Sequence, residues 1–119
     1  MQLSGDVPTW SFMAASVFLD GVLFIFGGQD DEGNYSNNVY SLSLGSGIFK
    51  HFDTYGERPT PRSCLEGWHH DGHLFFFAGQ TAIEKNSLDN VSVVKSDNHL
   101  FSIELKTGKP LLLWSLLHG

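Results

Sequence analysis

Val22-Leu23-Phe24-Ile25-Phe26-Gly27-Gly28-Gln29 and its echo His73-Leu74-Phe75-Phe76-Phe77-Ala78-Gly79-Gln80 decide how this chain folds. Each is an unbroken apolar run, short enough for a strand and stopped abruptly by small residues. Without polar alternation, such a strand is expected to be covered on both faces, as where sheets are stacked in series. Working outward, Gly5 aligns with Gly56, and the offset of 51 (56 minus 5) holds without a gap to Gln29 and Gln80. Among those 25 pairs ten are identical, including Pro8/Pro59, Thr9/Thr60, Asp20/Asp71 and Gly21/Gly72, so the two halves repeat one unit.

A second block, residues 39–44 against 100–105, matches at an offset of 61 (101 minus 40). The later copy therefore carries ten extra residues (61 minus 51) between its second and third strands. A period of about 50 residues is that of propeller blades and not of helical arrays.

Composition agrees with an all-β chain. Of 119 residues, 41% are hydrophobic and 13% aromatic, enough to build one core, and thirteen glycines with four prolines punctuate the short apolar runs. Thirteen acidic against seven basic side chains give a net charge of −6, which argues against nucleic acid and favours neutral or basic peptide partners. The single cysteine, Cys64, cannot form an internal disulfide, so a reduced compartment is expected. Residues 1–6 lack the pattern of a signal peptide, and the apolar run 111–117 is too short to span a bilayer. The expected location is the cytoplasm or nucleus, where the triplets at Asn34 and Asn90 would not be glycosylated.

In chain order, residues 12–19 read as a first strand whose small centre, Ala14, Ala15 and Ser16, suits a crowded axis. Asp20-Gly21 is a two-residue hairpin signal because both turn positions need positive φ. Residues 22–26 return, a polar acidic loop follows from Gln29, and Tyr40, Leu42 and Leu44 alternate with Ser41 and Ser43 in a third strand. After Gly45-Ser46-Gly47, residues 48–53 form the outer strand. The second copy repeats this with strands at 63–70, 73–77, 100–105 and 111–116, and with an insertion, 81–98, able to pack in part or form its own ribbon. The expectation is two separate four-stranded antiparallel sheets, 5–54 and 55–117, set beside each other.

The glycine pair after an apolar strand, Tyr40 nine residues before Phe49, and Pro61-Arg62-Ser63 opening the next copy resemble the kelch motif over nearly the whole chain. The resemblance implies an all-β fold of two kelch blades of an incomplete β-propeller. Ala78 replaces the first glycine of the second copy, Phe49 stands where the family usually has Trp, and Trp114 follows a longer turn. The start Gly5-Asp6-Val7-Pro8 and the enlarged loop of the second blade are also similar to kelch substrate receptors of cullin-RING ubiquitin ligases.

In a meander, successive hairpins alternate ends. The tight turns at 20–21, 45–47, 71–72 and 106–108 then share one end, and the long polar loops 29–38, 55–63 and 80–98 share the other. Binding residues are expected on those loops, held by a rigid scaffold: Gln29, Asp31, Arg58, Arg62, Ser63 and Gln80. Arg58 and Arg62 suit a carboxylate, whose two oxygens match the guanidinium fork, although an ion pair with Glu57 or a hydrogen bond inside the propeller would use the same atoms. For Asp30, Asp31 and Glu32 a solvated loop is the plainer role. Neighbouring histidines on a strand point to opposite faces, so His69, His70 and His73 are expected to be structural, not metal ligands. Cys64 has no catalytic motif around it, and Glu66 and Trp68 could line a central channel or join the core.

These readings point to a non-enzymatic protein-interaction module without a cofactor, whose partners are a protein or peptide and further kelch blades, with no nucleic acid and no membrane. Two other classes compete. A copper oxidase on a kelch-like propeller would need converging Tyr, His and Cys ligands, a spacing this chain does not offer, and a structural piece of a larger propeller would bind no ligand of its own.

Overall fold

The computed structural model describes residues 3–8, 13–30, 32–63, 66–77, 79–85, 92–96, 99–105 and 111–118, and every regular element among them is a strand. The first unit is the meander β2 (Ala15–Leu19), β3 (Val22–Phe26), β4 (Val39–Ser43) and β5 (Ile48–Gly56), preceded by the short β1 (Ser4–Gly5). The second unit is β6 (Glu66–His70), β7 (His73–Phe77), β10 (Leu100–Glu104) and β11 (Leu111–His118). Its insertion forms a separate ribbon, β8 (Gln80–Lys85) against β9 (Ser92–Ser96). All three ladders within each unit are antiparallel.

The hairpins form where the dipeptides demand it. Asp20 and Gly21 have φ of 51° and 78°, and Asp71 and Gly72 have 48° and 74°, the left-handed pair that matches strand twist in a two-residue turn. The Leu44 amide donates to the Gly21 carbonyl (3.1 Å), and the Leu105 amide donates to that of Gly72 (2.9 Å), tying the turns of each unit together at one end. Residues 106–108, expected at that end, lie outside the described residues.

One expectation is corrected. The two units do not form separate sheets, because the hydrogen-bonded order β2-β3-β4-β5-β11-β10-β7-β6 is continuous through both. The join is β5 itself. Its first residues pair with β4, while Asp53 to Gly56 pair in parallel with Leu111 to Trp114. The segment anticipated as a loop leading into the second unit is thus the tail of a nine-residue strand that passes from one unit to the next. Its amides and carbonyls find partners there, as backbone groups must when they leave water.

The same parallel contact opens the first unit, where Ser4 and Gly5 pair with Ile48 and Phe49. Asp6 N donates to Phe49 O (3.0 Å) and Glu57 N to Trp114 O (3.2 Å), while Val7 N donates to Gly5 O (3.0 Å) and Arg58 N to Gly56 O (2.9 Å). Trp114 is therefore the counterpart of Phe49. Their partners across the ladder, Leu42 and Ile103, also stand 61 apart (103 minus 42), and the longer turn adds four more residues to reach Trp114.

The units pack front to back. From the first, Ala15, Val17, Phe26 and Val39 are buried, with Phe24 and Phe52 against them; from the second come Leu74, Phe76, Phe101, Ile103 and Trp114. Phe26 lies 5.2 Å from Phe76 and 4.8 Å from Trp114 between ring centroids, in the tilted and edge-on arrangements aromatic quadrupoles favour. Through the offset of 51, Val17 and Phe26 correspond to Trp68 and Phe77, which point away from this core. One face of the first unit therefore meets the opposite face of the second. β3 is covered on both sides at its rim end, where Ile25 and Phe26 face opposite ways and are both buried, whereas β7 is closed over on one side only and leaves Phe77 exposed. The inner strands β2 and β6 approach where the second unit has glycine: a Cβ on Gly67 would fall 2.9 Å from Cγ2 of Val17.

Candidate interaction surface

At the end opposite the hairpin turns, three loops are knitted into one rim by backbone bonds. Gln29 bridges Tyr35, Ser36 bridges Arg62, and Ser63 bridges Gln80. Gly28 N donates to Arg62 O (2.8 Å), Ser36 N to Gly28 O (2.9 Å) and Arg62 N to Ser36 O (3.0 Å), so Arg62 lies between two strands of the first unit's loop. Ser63 N and Gln80 O, and Gln80 N and Ser63 O, then close a reciprocal pair at 2.8 and 2.7 Å. The rim is a continuation of the ladders, and the scaffold fixes its shape.

Each expected site residue has a defined place. Arg62 is 2% exposed; its Nε donates to Thr60 O (3.0 Å), its Nη2 to Thr60 Oγ1 (2.8 Å), and its guanidinium lies 5.1 Å over the Phe101 ring. Its fork is thus held inside the structure, where cation–π attraction and hydrogen bonds offset the cost of burial. Ser63 is also buried, and Gln80 is half-buried on the reciprocal pair. Gln29 is half-buried and turns its Nε2 onto Gly33 O (3.0 Å). Arg58 is exposed and places Nη2 3.2 Å from Asn37 Oδ1. Asp31 and Cys64 lie outside the described residues.

Two contributors escaped the sequence reading, Asn37 and Pro59. Asn37 Nδ2 donates to Pro59 O (3.1 Å) while its Oδ1 accepts from Arg58, so this side chain bridges the two units beneath the rim. A signal was present, since Asn37 and Asn98 are identical at the offset of 61 (98 minus 37).

Asp30 organises the acidic loop. Its Oδ1 accepts from the amides of Asn34 and Glu32 (2.9 Å each) and its Oδ2 from Asn34 Nδ2 (3.3 Å). The Asn34 amide, foremost among these donors, holds the carboxyl below its ordinary value, since bonds to the charged form favour it. Glu32, Asn34 and Asn38 remain exposed around it. Beside the rim, on the outward face of the first unit, a cleft of about 250 Å³ is lined by Pro8, Ile25, Asp30, Tyr35, Asn37 and Tyr40.

The histidines sit elsewhere. His70 Nε2 lies 3.1 Å from Asp71 Oδ2 and His73 Nδ1 lies 3.0 Å from Asp71 O, at the hairpin end. Among the described residues no group of three or more His, Cys, Asp or Glu side chains converges. Glu66 and Trp68 are exposed on the open face of the second unit.

A pair of four-stranded units packed front to back, with knitted loops at one end, is the arrangement of neighbouring propeller blades. Residues 12–50 match the family model of the Kelch motif. The chain is similar to human Kelch domain-containing protein 1, with 33% identity over 82 residues covering 65% of this chain and 20% of that protein. It is also similar to bovine Kelch domain-containing protein 2, with 25% identity over 131 residues covering 89% of this chain and 32% of that protein. The mouse form of the latter is 34% identical over 79 residues. Motif and relatives together support a kelch-repeat chain, one that spans about a fifth to a third of the length of the relatives it matches.

Proposed function

We propose that this chain is a non-enzymatic kelch-repeat module that binds a protein or peptide at its loop rim. The observation that carries this reading is the run of backbone bridges from Gln29 to Tyr35, Ser36 to Arg62 and Ser63 to Gln80. It makes one rigid, polar surface out of three unlike loops, and a preorganised surface loses little entropy when it binds. Arg58 is the rim cation suited to a ligand carboxylate, while the net charge of −6 favours a ligand that is otherwise neutral or basic. Narrower still, the module recognises substrates for a ubiquitin ligase in the cytoplasm or nucleus. That step rests on the similarity of residues 5–8 and of the enlarged second-unit loop to such receptors.

The test is selection of peptides from a random phage-displayed library on the full chain, followed by titration of the best binder against rim and turn-end variants. Arg58→Glu and Asn34→Ala should weaken binding about tenfold or more, the scale of one lost charged contact and its neighbours. Ser46→Ala at the turn end should leave it unchanged. Binding lost at the turn end and kept at the rim would overturn the reading, and stoichiometric copper with oxidase activity would replace it with the enzymatic one.

A further inference from the structure

We propose that a second copy of this chain docks head to tail on the first, because the two open sheet faces are the two halves of the interface already buried between the units. The internal repeat lets each open residue be compared with a buried counterpart. On the second unit, Trp68 is 44% and Phe77 37% exposed, whereas their equivalents Val17 and Phe26 are 4% and 0% exposed against the neighbouring unit. Trp68 stacks on Phe75 at 5.6 Å with an interplanar angle of 13°, building a flat aromatic platform. On the first unit, Leu23, Tyr40 and Leu42 are half-buried on the outward face, beside Ile25 and Phe49, which the chain already buries. Their equivalents Leu74, Phe101, Ile103, Phe76 and Trp114 are all buried between the units.

The cleft beside the rim fits this pairing. Its lining residues Pro8, Ile25 and Tyr40 correspond to Pro59, Phe76 and Phe101, all buried inside the chain, and Phe76 is the one whose ring Phe26 meets at 5.2 Å. The equivalent of Phe26 is Phe77, so Phe77 of one copy is the side chain that the cleft of the next receives. Two unlike faces meeting in this way make a heterologous contact, which closes into a ring when the rotation permits. The contact between copies is weaker than the one within: Arg58 and Gly67 have Val7 and Ser16 as their equivalents, so the Arg58–Asn37 hydrogen bond and the room that Gly67 leaves for the Val17 side chain are both missing.

Sedimentation velocity of the full chain over a dilution series tests the proposal, with Trp68→Glu on one face, Tyr40→Glu on the other, and circular dichroism to verify folding. Wild type should associate reversibly, and each variant alone should shift that transition at least tenfold upward in concentration. An equimolar mixture of the two variants should recover association and stop at two chains, since each retains the face the other lacks. Should Tyr40→Glu fail to fold, Tyr40→Ala takes its place in the same mixture. A folded wild-type chain that stays monomeric throughout overturns the proposal and leaves these faces to blades of other origin. Association lost in Trp68→Glu but kept in Tyr40→Glu, or no recovery in the mixture, overturns it too. Peptide binding at the rim is a separate readout and does not bear on this outcome.

Discussion

Gly56 lies against the backbone of Trp114 so closely that a Cβ placed on it would come within 2.5 Å of the Trp114 carbonyl oxygen. The same contact joins Gly5 to Phe49 at the start of the first unit. Both glycines also have positive φ, 88° and 83°, a region that costs an L-residue about 1–2 kcal/mol. These paired glycines let the chain run beside its own outer strand before turning inward, which is how one unit hands over to the next.

Gly56→Ala should therefore destabilise the chain by more than Gly21→Ala, although both sites have positive φ. At Gly21 nothing stands within 4 Å of the added methyl and the backbone strain acts alone, about 1 kcal/mol. At Gly56 the clash with backbone adds to it, for a total of about 2–4 kcal/mol. Urea unfolding of the two variants measures the difference.

Trp114 is 1% exposed and its Nε1 has no hydrogen-bond partner among the described residues. Trp114→Phe removes that unsatisfied donor, which recovers about 1–3 kcal/mol and offsets much of the lost packing. Phe49 already fills the equivalent place in the first unit, so the change should leave stability within about 1 kcal/mol. Trp114→Ala, by contrast, should cost about 3–5 kcal/mol by opening a cavity beside Phe26, Phe76 and Phe101. Denaturant midpoints separate the two results.

Arg58 and Arg62 should behave differently despite similar sequence surroundings. Arg62→Ala exposes a void over Phe101 and unsettles the bridge to Ser36, so a loss of about 2–4 kcal/mol is expected. Arg58→Ala removes an exposed bond to Asn37 and should cost about 1 kcal/mol or less. Thermal unfolding of both variants checks the contrast.

The Asp30 loop should loosen in acid. The carboxyl sits below its ordinary value of 3.8 when the chain is folded, chiefly through the Asn34 amide. A lowered value means that the loop's gain is complete above the ordinary value and disappears as pH falls through the folded one. The Asn34 and Glu32 amide resonances should therefore move together in an acid titration, with a midpoint below 3.8, and Asp30→Asn should abolish that step. A midpoint above the ordinary value would contradict the assignment.

Much of the fold was legible because turns and apolar runs are local signals. Asp20-Gly21 and Asp71-Gly72 specify their hairpins through φ alone, and the repeat of residues 22–29 at 73–80 marks the paired strands. The crossing strand was not legible. Residues 53–56 carry no apolar alternation, and their strand character comes from a ladder with residues 111–114, far away in sequence. Tertiary pairing there decides what local propensity leaves open. Counting hairpins brings Gln29, Ser36, Arg62, Ser63 and Gln80 to one end, where backbone bridges join them, whereas the inward turn of Arg62 depends on the Phe101 ring beneath it, which spacing in the sequence does not reveal.

The front-to-back stacking of the two units is what makes the open faces complementary and the rim continuous. Nuclear Overhauser contacts from the Val17 methyls test it most directly. Contacts to Gly67 and to the Phe76 ring are expected, because Val17 Cγ2 and that ring both crowd Gly67. Contacts from Val17 to Trp68 and Phe75 instead would mean that the units meet front to front, and would contradict the account.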